Sequence, residues 1–222
     1  MLHEISTLLA KDFRLEWRQR AALGGLLLYV GSTVFVSFLS FSLRGGTPPA
    51  PAWNALFWVI LLFAAVNAVA KGFMQESAGQ RLYYYTLVRP QAVILAKMLY
   101  NALLLLIVAL LGLLLYTIFL GNPIQDISLF LANLVLGAVG FATTLTLVSG
   151  IAAKAGGNGA TLMAVLGFPV MVPMLLLLIK VSKNALDGLD WSVSQGSVLT
   201  LVALNMIVAA TSYLLFPFLW RG

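Results

Sequence analysis

The chain has 222 residues, 61% of them hydrophobic and 9% charged, with no cysteine and a net charge of +6. A soluble domain is near half apolar and a quarter charged, so this composition cannot cover a water-facing surface and points to an integral membrane protein. Without cysteine there are no disulfides, thiolate metal sites or iron–sulfur ligands, and the excess of Lys and Arg fits loops on the cytoplasmic side of a membrane better than nucleic-acid binding.

The first element is LHEISTLLAKDFRLEWRQR, residues 2–20. At 100° per residue Leu2, Ile5, Leu9, Phe13 and Trp17 share an arc of roughly 120°, while Lys11, Arg14 and Arg18 cluster away from it. This pattern predicts an amphipathic helix lying in the membrane interface. Two readings of its basic face stand: contact with anionic headgroups or a cytoplasmic partner, or a plain anchor whose charges set topology. His3 is the only histidine, too few for a metal or heme site.

Six apolar runs follow, each near the roughly 20 residues that cross a bilayer as a helix: 21–43, 52–70, 93–120, 127–153, 159–179 and 197–220. The first is too long for a signal-peptide core and lacks a convincing cleavage site, so it is expected to be retained. Breakers separate the runs: RGGTPPAP at 44–51, GNPIQD at 121–126, AGGNG at 155–159 and KNALDGLDWSVSQG at 183–196. No alternating strand pattern is present, so the fold class is an all-α membrane bundle, one transmembrane domain over 1–222. One side receives ten basic residues: Lys11, Arg14, Arg18, Arg20, Lys71, Arg81, Arg89, Lys97, Lys154 and Arg221. The other receives three, Arg44, Lys180 and Lys183. Both termini are therefore expected in the cytoplasm.

No Asp, Glu, Lys, Arg or His falls in the middle of a span. Proton and ion coupling need such a group, so a secondary transporter or pump is disfavoured, as is heme ligated inside the bilayer. There is no phosphate-binding loop, no paired-carboxylate or nucleophile arrangement, and no soluble segment large enough for a nucleotide domain. The chain reads as no enzyme, and any energy would come from a separate subunit. Asn67, Asn101, Asn133 and Asn205, with Thr143, Thr144, Thr146 and Ser149, are expected to join helices by hydrogen bonds. Gly137, Gly140 and Gly150 are expected to allow close helix approach. GFPVMVP (167–173) puts Pro169 and Pro173 about one turn apart, which predicts a kink or break in the fifth span, either for packing or as a hinge.

Between the second and third spans lies GFMQESAGQRLYYYTLVRP, residues 72–90. Its aromatics, arginines and single acid suit a docking face rather than a catalytic pocket, and Pro90 is placed to start the next helix. The run F-x-x-E-x-x-G at 73–79, followed by Arg81, Tyr83, Leu87, Pro90, Ile94 and Lys97, resembles the loop between helices two and three of the CcmB family. These are permease subunits of the cytochrome c maturation (heme exporter) ABC complex. KDFRLEWR (11–18) resembles the family's opening before its first helix, and GFPVMVP its proline-containing fifth helix.

The resemblance implies an ABC-2 type permease bundle in the bacterial cytoplasmic (inner) membrane, dimeric and docked on a CcmA-like ATPase. CcmC-like, CcmD-like and CcmE-like partners would surround it. Heme would be the cargo of the complex and ATP the ligand of the partner, with no cofactor held by this chain and no nucleic acid involved. Carried over, Phe73, Glu76, Gly79, Arg81 and Tyr83 are the ATPase-coupling candidates. Glu76 would meet either an ATPase cation or Arg14 or Arg18 of the interfacial helix. The tyrosines equally suit a headgroup-level belt, and Arg81, Arg89 and Lys97 suit topological charges. Two other functions remain open at this stage: a generic ABC-2 permease exporting lipid, glycan or drug, and a non-transporting membrane scaffold.

Overall fold

The computed structural model describes residues 1–18, 20–43, 45–69, 88–154 and 159–221. These fold into α1 (Leu2–Arg18), α2 (Arg20–Ser42), α3 (Ala50–Val69), α4 (Pro90–Leu120), α5 (Ile127–Lys154), α6 (Gly159–Leu186) and α7 (Trp191–Arg221). Six of them are long and apolar enough to cross a membrane. Among the described residues there is no strand.

Several helices outrun the apolar stretches that announce them. α4 begins at Pro90, where the ring occupies the first helical position and Arg89 before it is extended (φ −68°, ψ 135°). α6 continues through Lys180–Leu186, and α7 starts at Trp191, six residues before the apolar run it carries. Hydropathy marks hydrocarbon, whereas a helix needs only its own backbone bonds and compatible side chains, so polar helical turns escape a hydropathy reading.

α5 is the hub. It packs against α6, α4, α7 and α3, whereas α2 and α7 lie at the periphery and show their apolar side chains outward, as in Leu28, Val36, Met206 and Phe218. Two glycines bring the neighbours in. A Cβ at Gly137 would sit 2.6 Å from the Trp58 ring of α3, and one at Gly140 would strike Met174 of α6 and Asn205 of α7. Around this approach sits an aromatic core. Trp53 stacks on Phe57 at 5.6 Å and meets Tyr116 edge-on at 4.8 Å, and Trp58 meets Phe141 at 6.2 Å. All five rings are buried, and such pairs add about 0.5–1.5 kcal/mol each beyond area burial.

The two ends of the bundle differ. At one, Trp53 Nε1 donates to the Gly121 carbonyl (3.0 Å), and the backbone N–H groups of Gln125 and Asp126 both donate to the Ala185 carbonyl (3.2 and 2.9 Å). This ties the α2–α3, α4–α5 and α6–α7 connections into one layer. At the other, a second small core joins Leu8 of α1, Val93, Ile94, Ala96 and Met98 of α4, and Phe216 of α7, with Ile5 and Ala153 against it. The N-terminal helix and the last turns of α7 thus share an end, the one carrying Lys11, Arg14, Arg89 and Lys97.

Candidate functional site

The five coupling candidates, Phe73, Glu76, Gly79, Arg81 and Tyr83, lie outside the described residues. What the structure places is the frame around them: Val69, buried at the end of α3, and the start of α4 with α1 folded across it.

α1 turns to the bundle a face offset from the apolar arc of its sequence. Ile5 of the apolar set and Leu8, which lies outside it, face the bundle, and the acids Asp12 and Glu16 continue the stripe from Leu8 along the helix. Phe13 lies at the edge of that face, with its ring edge-on to Tyr100 of α4 at 5.2 Å. Glu16, and beyond it Asp12, face the Tyr100 hydroxyl. The helix is thus seated on α4, and its seat is mixed acid and aromatic. Of the interfacial candidates, Lys11 pairs with Asp12 at 3.0 Å and Arg14 is exposed. The side chains of Trp17 and Arg18 lie outside the described residues.

Lys97 differs from its sequence expectation. It is 8% exposed, one turn before Tyr100 and Asn101, within the stretch of α4 that α1, α5 and α7 enclose. A topological charge would stand in solvent; this ammonium is folded into a four-helix junction. A buried cation at this depth carries a desolvation cost that its surroundings must offset. Sequence reasoning missed it because a lysine near the start of the 93–120 run reads as a topological charge until its neighbours are placed.

Inside the span region, the asparagines do what interhelical amides do. Asn101 Nδ2 donates to Thr146 Oγ1 (2.8 Å), joining α4 to α5. Asn133 Nδ2 donates to the Leu178 carbonyl and to Ser182 Oγ, both at 2.8 Å, joining α5 to α6. Asn205 Nδ2 donates to the Leu136 carbonyl (3.0 Å), joining α7 to α5. Asn67 is exposed and departs from the pattern. Thr143 turns back on its own helix, to the carbonyls of Val139 and Gly140. Two participants had no sequence signal: Asn54, which donates to the Ile179 carbonyl (2.9 Å), and Trp58, whose Nε1 donates to Ser182 Oγ (2.7 Å). α6 stays helical through both Pro169 and Pro173, so the fifth span is not broken there. Both prolines are exposed.

A basic-ended bundle of six spanning helices, joined by the buried amides of Asn54, Asn101, Asn133 and Asn205, defines a multi-pass helical membrane protein. Lys97 is the only Asp, Glu, Lys, Arg or His side chain among the described buried residues. The family model described as CcmB protein matches residues 3–218, and the chain belongs to that family. It is accordingly a permease subunit of a heme-exporting ABC transporter of cytochrome c biogenesis, a complex that includes an ATPase. No curated protein matches the chain.

Proposed function

We propose that this subunit is a mechanical transmitter: as a homodimer in the bacterial inner membrane, with both termini in the cytoplasm, it converts ATP hydrolysis by a CcmA-like ATPase into release of a heme-loaded, CcmE-like chaperone. CcmC-like and CcmD-like subunits complete the assembly. Residues 72–90 form the coupling segment, with Glu76 as its principal contact and Phe73, Gly79, Arg81 and Tyr83 around it.

The observation that carries this reading is the seat of α1 on α4. Pro90–Tyr100 directly follows the coupling segment and holds α1 through Phe13 and Tyr100, 5.2 Å between ring centroids. A displacement of that segment therefore reaches α4 and α1 together, and through Ala153 and Phe216 the ends of α5 and α7. The lack of an Asp, Glu, Lys, Arg or His side chain buried in mid-span among the described residues favours movement of helices over a ligated heme path.

The test is Glu76→Arg in a strain lacking the native gene. Insertion and ATPase copurification are expected to persist while covalent heme attachment to c-type cytochromes falls about tenfold or more, the scale of one disrupted charge contact. Wild-type cytochrome levels in that variant would remove the coupling role of Glu76. Normal c-type cytochromes in the deletion strain itself would remove the function.

A further inference from the structure

The end of the molecule opposite the basic one carries a feature that neither the spans nor the coupling segment explains. α6 and α7 leave the hydrocarbon as a helical hairpin. On α6, exposed Lys180 and Lys183 mark the exit. On α7, the first turns read Trp-Ser-Val-Ser-Gln-Gly-Ser (191–197), and the apolar run begins only at Val198. The 22 residues from Val198 to Leu219 already give roughly 33 Å of helix, enough for the roughly 30 Å hydrocarbon core. Trp191 then stands roughly 10 Å outside it, past a headgroup layer roughly 6 Å deep.

The hairpin is a built object. Asn184 Nδ2 donates to Ser194 Oγ across it (2.9 Å), with Ser194, Val181 and Ala185 fully buried beneath. The Ala185 carbonyl takes the two backbone donors of Gln125 and Asp126, and the turn closes at Gly188 with φ +66°, where a Cβ would also meet Gln125 Oε1. On this rigid base, residues 187–193 are all exposed. Leu189 (40% exposed), Trp191 (44%) and Val193 (57%) are its apolar members, and Asp187 and Asp190 flank them. Apolar side chains facing lipid need no partner, but these stand beyond the hydrocarbon, past Lys180 and Lys183 at the exit, so the charge beside them at the tip is that of Asp187 and Asp190. A tryptophan held rigidly among small apolar neighbours is the composition of an interface hot spot, and preorganisation lowers the entropy cost of docking.

We propose that Leu189, Trp191 and Val193, with Asp187 and Asp190, form a docking knob for an outward-facing protein whose contact surface is an apolar pocket rimmed by Lys or Arg. The knob depends only on the orientation of the bundle, so it stands or falls separately from the coupling role of Glu76.

The test places the photo-crosslinking residue p-benzoylphenylalanine at position 191 in the full complex in cells, with the same residue at lipid-facing Met206 as control. The expected result is one protein adduct from position 191 and none from 206. The attachment site should map by mass spectrometry to a Lys- or Arg-rimmed apolar surface, and yield should fall about tenfold when Asp187→Lys or Asp190→Lys is added separately, with insertion unchanged. Adducts to phospholipid alone would make Trp191 a headgroup anchor and overturn the proposal. So would adducts between two copies of this chain, no adduct at position 191, or a yield indifferent to both charge reversals.

Discussion

Ser182 Oγ accepts two hydrogen bonds at once, from Trp58 Nε1 at 2.7 Å and from Asn133 Nδ2 at 2.8 Å, so one hydroxyl fastens α3 and α5 to α6. All three residues are fully buried. Ser182→Ala leaves the Trp58 N–H without an acceptor in an apolar interior, while Asn133 keeps its bond to Leu178. Interhelical bonds of this kind are worth about 0.6–2 kcal/mol, so thermal unfolding in detergent should show a loss near the upper end of that range. Ser182→Thr, which retains the hydroxyl, should lose less. Equal losses in the two variants would mean that packing, not the bond, holds this node.

The same bond makes Gly137 intolerant. Because Trp58 is tied at Nε1, its ring cannot swing away from a Cβ that would lie 2.6 Å from Cζ3 and 3.2 Å from Leu178 Cδ2. Gly137→Ala is expected to cost about 1–3 kcal/mol by overpacking. Gly167→Ala, where the nearest atom is Leu145 Cδ2 at an ordinary 3.5 Å, should be close to neutral. Gly140→Ala should be costly too: flexible Met174 can give way, but Asn205, held by the Leu136 carbonyl, leaves its Oδ1 2.6 Å from the new Cβ. The three unfolding midpoints test the ranking, and a neutral Gly137→Ala would break it.

Seating of α1 depends on Phe13 and Tyr100. Phe13→Ala removes an edge-on aromatic pair worth about 0.5–1.5 kcal/mol and should expose the linker after α1 to limited proteolysis, leaving the rest of the bundle protected. Phe13→Leu should restore part of the protection. If α1 is held by lipid alone, Tyr100→Ala will leave its protease sensitivity unchanged.

Asp126 caps α5: its Oδ1 accepts from the Leu129 N–H at 3.0 Å and from Ser128 Oγ at 2.7 Å. The bond from the Leu129 N–H, then that from Ser128, holds its carboxyl below the usual carboxylate range. A group whose pKa is lowered on folding adds stability that is fully present above the unfolded value, about 3.9, and is lost as pH falls through the folded value. Wild type should therefore lose more stability than Asp126→Asn between pH 5 and pH 3. Asp126→Ala should begin lower at pH 7 and change least. Parallel melting curves for wild type and Asp126→Asn over that range would show the cap to be charge-independent.

The spans were legible because each is a run of apolar residues long enough to cross hydrocarbon, and α1 because its apolar positions recur at helical spacing. What failed to show was anything depending on which helix lies beside which. Trp58 and Ser182 are far apart in the chain and neither is unusual in its own segment. Lys97 reads as a topological charge until α1, α5 and α7 are placed around it. The face that α1 turns to the bundle did not show for a related reason: Asp12 and Glu16 count as polar by type, yet Tyr100 gives them a face to turn towards. The helical turns within 183–196 read as a connection because hydropathy reports the solvent a segment prefers, not the shape of its backbone. The coupling candidates 73–83 were singled out by resemblance and elimination, and they lie outside the described residues.

The seat of α1 on α4 also imposes an order on synthesis. Phe13 leaves the ribosome long before Tyr100 exists, with two complete spans made in between. Until the third span is made, Phe13 has no Tyr100 to pack against. The first helix to be made is thus among the last to be seated, since its place on α4 exists only after α2 and α3 are complete.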